Sequence, residues 1–327
     1  MHKRKRVLIL TNKQDITADY VILELRKRNI SYFRFNTEDF PTRILGTMRV
    51  GKKTGTLFFQ GIKGEINLEG IFSIWYRRPG IPLISEDVKD VGTIDFCKRE
   101  SEEFIEGVWS IFKGLWVSYP PYIFRAQNKL YQLNLAKGLG FKIPETIITN
   151  NPEEIKTFAD KFHLGIIAKA VRQGILKENN EEYLIFTNPV RRKDFEAFPD
   201  VRYSPCIFQE FIPKKFDLRV TVIGNKVFPV EIHSGDSKAE SQFDWRRGDE
   251  EELSYKVHVL PRRIEVLCRR IVEKMGLKFG AIDLISSTSN EYYFLEINPN
   301  GQWAWIEQRT KVNLTRSLVD LLIGVEK

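Results

Sequence analysis

The chain has 327 residues, 42% hydrophobic and 29% charged, with 51 Lys and Arg against 43 Asp and Glu for a formal net charge of +8. That is the make-up of an ordinary globular protein of two or three packed units, and the modest basic excess suits an anionic ligand or an acidic peptide. It excludes a membrane-spanning chain, since no apolar run nears the roughly 18–20 residues required, and nucleic acid is set aside because no long Lys/Arg tract stands clear of the apolar pattern.

The basic cluster at residues 2–6 runs straight into Val7-Leu8-Ile9-Leu10 and reads as a solvated lead-in to a first strand, 7–11. That apolar segment is four residues long, too short for a signal peptide. A helix is predicted over 15–28, with Ile16, Tyr20 and Leu23 at helical spacing, followed by strands at 32–35, 57–59 and 71–76. Arg77-Arg78-Pro79-Gly80 breaks the pattern, and 94–113 reads as an amphipathic helix. Residues 1–120 are therefore expected to form a small α/β unit.

A second unit, 121–205, opens with a helix over 129–139 closed by Gly140 and a strand at 145–149. A helix capped by Asn151-Pro152, with Glu153 and Glu154 in its first turn, leads to strands at 165–171 and 182–187. A third unit, 206–327, carries strands at 207–211, 217–223 and 226–232, a polar loop over 233–252, a helix over 261–275, a hairpin and a last helix over 312–323. Cys97, Cys206 and Cys268 are scattered in apolar contexts and read as buried thiols of a reducing compartment, which places the chain in the cytoplasm.

The hairpin holds the densest chemistry. Glu296 and Asn298 are two apart on an apolar run, so a strand puts both on one face, and Asp283 lies thirteen residues before Glu296 in a second short run. Ser286-Ser287-Thr288-Ser289-Asn290 is turn chemistry, and folding about it brings Asp283 opposite Glu296. Three oxygen donors with no His or Cys suit a hard cation such as magnesium, which takes one or two carboxylates and completes its octahedron with water and phosphate oxygens. The pattern therefore implies a bound nucleotide.

Neither usual phosphate loop is present. Residues 46–53 nearly spell G-x-x-x-x-G-K-[ST], but Lys53 holds the Ser/Thr position and the residues after it are strand-like, so a hairpin turn is expected. No G-x-G-x-x-G follows the first strand. Two isolated lysines offer another solution: Lys129 at a helix start, and Lys169 inside the apolar strand Ile166-Ile167-Ala168-Lys169-Ala170-Val171, where a buried amine needs an anion. Arg172-Gln173-Gly174 is a turn able to fold over phosphates. Gln209-Glu210-Phe211-Ile212 reads as a strand leaving into a linker whose backbone recognises an adenine edge, with Asp217 near the ribose and Arg219 on phosphate.

This ordered set, from Lys129 and Lys169 through Gln209-Glu210-Phe211-Ile212 and Asp217-Leu218-Arg219 to Asp283, Glu296 and Asn298, resembles the ATP-grasp ligases over essentially the whole chain. The phrases Trp75-Tyr76-Arg77-Arg78-Pro79, Phe216-Asp217-Leu218-Arg219-Val220-Thr221-Val222, Phe243-Asp244-Trp245-Arg246 and Leu295 to Trp303 look like the subgroup that matures ribosomal peptides into microviridin-type products, the graspetides. The resemblance implies an ATP-grasp fold with a preceding α/β domain and the nucleotide between two β-sheet domains. It implies ATP and Mg2+ as cofactors, the metal on Asp283, Glu296 and Asn298, and Arg219 and Arg246 in the chemistry, Arg246 at the acyl phosphate or the acceptor.

In that subgroup Asp or Glu side chains of a precursor peptide, docked by a leader, become acyl phosphates and are joined to Ser/Thr hydroxyls or Lys amines. For Trp303 and Trp305 core packing is weighed ahead of framing the peptide entrance, and a homodimer is left open. No enzyme nucleophile is needed, in keeping with a chain of only four histidines. One alternative is a ligase adding amino acids to a protein or small acid, as the ribosomal-protein glutamate ligases do. A second is a nucleotide-sensing or nucleic-acid-binding relative without activity.

Overall fold

The computed structural model describes residues 6–325 apart from 51–55, 62–63, 173, 179–180, 235–238 and 248–250. Gln173 and the tip of the 46–53 turn thus lie outside the described residues. The flanks of that turn are strands, Leu45–Arg49 and Thr56–Gly61, paired antiparallel, so strand stands where a P-loop needs a helix.

The N-terminal sheet is parallel, in the order Ser31–Asn36, Arg6–Thr11, Ser73–Tyr76, Leu115–Val117. Helix Ile16–Lys27 buries Ala18, Val21, Ile22 and Leu25 against it. The Ile16 and Leu23 of the predicted stripe are instead 66% and 53% exposed. Both stripes have helical spacing, but the buried one is wider and includes Ala18, which allows close approach to the sheet. Helix Val91–Ile111 begins three residues before its predicted start because Asp90 caps it, accepting from the Thr93 N–H at 2.7 Å.

The central sheet is antiparallel, in the order Asn188–Pro189, Ile166–Ala170, Cys206–Glu210, Thr146–Thr149. Ile155, Phe158, Ile166, Phe198 and Phe208 give it a small core of its own. Helix Lys129–Leu139 ends on Gly140, whose φ of +96° is the left-handed cap that favours glycine. The strand expected at 182–187 is half of a separate hairpin, Ile175–Glu178 with Glu181–Leu184.

The C-terminal sheet is antiparallel, in the order Ser254–Val257, Lys226–His233, Lys214–Ile223, Phe279–Ser287, Tyr292–Asn298. Side chains alternate across it, so Leu218, Val220, Leu284 and Ile297 enter the main core with Leu133 and Cys268, leaving Arg219, Asp283 and Glu296 on the other face. Helix Arg262–Lys274 closes that core with Leu267, Cys268, Ile271 and Val272. A second core joins Val7, Ile9, Val21 and Leu25 of the N-terminal sheet to Leu314, Leu318 and Leu322 of the last helix, around a fully buried Trp303. Each such Leu or Ile contributes about 1.5–3 kcal/mol when removed from water. Trp303 is thus a core residue rather than part of an entrance. Of the three free thiols only Cys268 is buried; Cys97 and Cys206 are half-buried. Among the described residues no helix is long and apolar enough to cross a membrane.

Candidate active site

Asp283 pairs with Glu296 on one side and with Arg219 on the other, so the three lie in a row across adjacent strands. The register jumps just after Asp283, where Leu295 is the extra residue of a bulge, a device that re-aims side chains at sites. Asn298, opposite Ala281, ends the same strand at an exposed position. Among the described residues no group of three or more His, Cys, Asp or Glu side chains is gathered for a metal. The donors here are two carboxylates and an amide, the sparse oxygen set that suits magnesium bound together with phosphate.

Cations surround these carboxylates. Arg219 Nε stands 3.1 Å from Asp283 Oδ1, and Lys129 Nζ stands 3.0 Å from Glu296 Oε2. Lys129 is the first residue of its helix; Asn128 caps that helix by accepting from the Tyr131 N–H, and Lys129 Nζ also donates to the Ala170 carbonyl. Lys169, on the facing central strand, donates to Gln209 Oε1 at 2.6 Å, while Gln209 Nε2 donates to Thr146 Oγ1.

The electrostatics of the two sides are complementary. Burial pushes the Asp283 carboxyl up to about 7, with Arg219 pulling against it and Glu296 adding to it. Burial would also raise Glu296, but Lys129, Lys169 and Arg246 outweigh it and hold that carboxyl below its ordinary range. Burial pushes the Lys169 amine down to about 8, opposed by Glu296 and reinforced by Lys129. Glu296 is thus compensated by its cations, while burial disfavours the charged forms of Asp283 and Lys169. A divalent cation with a polyphosphate corrects both, so the residues fit the group.

The remaining predicted residues fall around this centre. Asp217 is buried and paired with Lys214 Nζ at 2.6 Å; burial holds its carboxyl above the ordinary range despite that lysine. Glu210 Oε2 accepts from the Glu145 N–H, the Phe211 ring lies 5.0 Å from Phe243, and the Phe211 N–H is taken by the Gly165 carbonyl. The Ile212 N–H has no partner among the described residues. Arg246 grips Asp244 in a bidentate pair at 2.8 and 2.6 Å, and it feels both Glu296 and Asp283. Asp244 also accepts from the Thr187 N–H, and Arg247 donates to Asn188, so this loop of the C-terminal sheet reaches the end of the central sheet. Trp305 is half-buried between Trp245 and Tyr255, at 5.5 and 5.3 Å.

Sequence reasoning missed Lys214, Asp244 and Gln132. Gln132, one helical turn after Lys129, is buried and clamps the peptide between Glu296 and Asn298. Its amide donates to the Ile297 carbonyl at 2.8 Å and accepts from the Ile297 N–H at 3.0 Å. Its i+3 spacing from Lys129 is the one signal that pointed to it.

Residues 126–322 match the model of the RimK-like ATP-grasp domain, and residues 6–121 that of the MvdD pre-ATP grasp domain. The chain belongs to the RimK-like ATP-grasp family. It is an ATP-grasp ligase by that membership and by its structural neighbours. It is similar to a RiPP-associated ATP-grasp ligase from Chryseobacterium gregarium, in complex with ADP and a leader and core peptide, with a TM-score of 0.90 and 30% identity over 99% of this chain and 98% of that one. It is similar also to the macrocyclase MdnC of Microcystis aeruginosa, bound with precursor peptide MdnA, with a TM-score of 0.87 and 28% identity over 98% and 99% of the two chains. Among curated proteins it resembles the alpha-aminoadipate–LysW ligase LysX of Sulfurisphaera tokodaii, 23% identical over 181 residues. That match spans 54% of this chain and 60% of LysX.

Proposed function

We propose that this ATP-grasp ligase activates Asp or Glu side chains of a ribosomal precursor peptide with ATP and joins them to Ser/Thr hydroxyls or Lys amines, closing ester or amide rings. The observation that carries the reading is the row Arg219–Asp283–Glu296 facing Lys129 and Lys169, a carboxylate pair set among cations as a magnesium–polyphosphate requires. Asp283, Glu296 and Asn298 hold the magnesium, which when bound screens the charge of the phosphate oxygens. Lys129 and Lys169 take the phosphates, the linker Gln209–Ile212 takes the adenine with the Ile212 N–H as donor, and Asp217 takes the ribose.

A substrate carboxylate oxygen attacks the γ-phosphorus as the bond to the leaving ADP oxygen breaks. The hydroxyl or amine then adds to the acyl carbon, phosphate leaves with the former carboxylate oxygen, and the nucleophile's proton passes to the departing phosphate. Arg219 and Arg246 hold the charge that develops on the transferred phosphoryl group and on the acyl oxygen, so positioning and electrostatics carry the catalysis. The net charge of +8 favours an acidic partner. Residues 1–120, 121–205 and 206–327 serve as the preceding, central and metal-carrying domains.

Incubation with ATP, magnesium and a peptide encoded beside the gene is expected to lower the peptide mass by one water per bond, with ADP and phosphate released. A second reading, addition of an amino acid to a protein or small acid, draws on the likeness to LysX. It predicts ATP turnover with free amino acids in place of peptide.

A further inference from the structure

Arg77 is 1% exposed, among the largest fully buried side chains. A guanidinium is costly to bury unless its charge and donors are met, and burial pushes this one down to about 10 against the pull of Asp15. It sits where strand Ser73–Tyr76 ends, at the carboxyl edge of the N-terminal parallel sheet. On one side its Nε stands 3.3 Å from Asp15 Oδ2 in an ion pair without hydrogen-bond geometry, leaving Nε and Nη2 with no hydrogen-bond partner among the described residues, and Asp15 accepts from Thr11 Oγ1 at 2.7 Å. On the other side its Nη1 donates to the carbonyls of Asn300 and, at 3.2 Å, of Gly301. Arg78 Nε adds a longer contact to the Asn300 carbonyl.

Those carbonyls belong to the turn that follows Glu296 and Asn298. The turn is already fitted closely: the Gly301 N–H donates to the Asn298 carbonyl, and a Cβ on Gly301 would lie 2.5 Å from Ala281 Cβ on the neighbouring strand. Gln132 fixes Ile297 from the helix side. Arg77, with the longer contact from Arg78, supplies the remaining hold, and it comes from a different sheet. Only a planar guanidinium bridges a carboxylate and two carbonyls at once; a lysine ammonium reaches one or the other.

We propose that Arg77 is a positioning residue for magnesium, holding the Asn298–Gly301 turn in its metal-binding geometry and so making the N-terminal sheet part of the metal site. The inference rests on the reading of Asp283, Glu296 and Asn298 as the magnesium ligands. Removal of such a supporting group costs about 10–100-fold in metal affinity.

The test is calorimetric titration of ADP into the full chain with EDTA and then with saturating magnesium, for wild type, Arg77→Lys, Arg77→Gln, Glu296→Gln and Asn298→Ala. The expected result for both Arg77 variants is an ADP affinity in EDTA within about twofold of wild type, with the gain brought by magnesium cut by about tenfold or more. If Glu296→Gln and Asn298→Ala lose that gain while both Arg77 variants keep it, the role of Arg77 is overturned and the metal reading stands. If Glu296→Gln and Asn298→Ala keep it, the metal reading fails and the proposal with it. Should the Arg77 variants not fold, hydrogen exchange on wild type decides. Magnesium with ADP, compared with ADP alone, must slow exchange at 10–16 and 74–80, and unchanged exchange there overturns the proposal.

Discussion

Asp283 and Lys169 are mismatched to their surroundings in opposite senses, and that has a measurable sign. Asp283, raised by burial to about 7, is partly protonated near neutrality and must give up its proton to bind a cation. Lys169, lowered by burial to about 8, is partly neutral above that value and must gain a proton to meet a polyphosphate. Binding of magnesium–ADP should therefore release protons near pH 6.5 and take them up near pH 8.5. Calorimetry in buffers of different ionisation enthalpy reads the sign directly, and one sign at both pH values would contradict the assignment. Glu296→Gln should abolish ATP turnover while leaving the melting temperature within a few degrees of wild type; unchanged turnover would refute its place at the metal. Residues of this kind were legible because their anomaly is local, a charge inside an apolar run. Gln132 and Arg77 were not, because their partners lie 165 and 223 residues away and, beyond the i+3 spacing of Gln132 from Lys129, nothing in their own neighbourhoods records the pairing.

At the scale of elements, helix Lys129–Leu139 and strand Tyr292–Asn298 act together. The helix brings Lys129 to Glu296 and, one turn on, Gln132 to the peptide of Ile297. Gln132→Leu keeps the size and leaves buried backbone groups without partners, at a cost of about 1–3 kcal/mol for each. Urea unfolding should show that loss as a lower midpoint with an unchanged slope, and an unshifted midpoint would mean that the clamp is redundant. The Asp283/Glu296 hairpin was legible because turn residues separate two apolar runs. Strand Leu115–Val117 was not, since three residues carry no periodicity to read, and the buried face of helix Ile16–Lys27 was misread because both of its stripes are apolar.

At the scale of the molecule, the central sheet has its own small core, while the C-terminal sheet shares cores with the N-terminal one. The Asp244–Arg247 loop crosses between central and C-terminal sheets through Thr187 and Asn188, beside the lysines and carboxylates that face each other. Such an arrangement lets two layers meet around a nucleotide, and Trp245, Tyr255 and Trp305 gather in a separate aromatic cluster. The nucleotide side of that plan was written in local motifs; the acceptor side depends on surfaces that meet only in the fold. The most direct measurement is the intact mass of a peptide encoded beside the gene, after incubation with the enzyme, ATP and magnesium. Loss of one water for each bond formed, matched by ADP and phosphate, is the predicted result. An unchanged peptide mass, with ATP turned over instead in the presence of free amino acids, would contradict it.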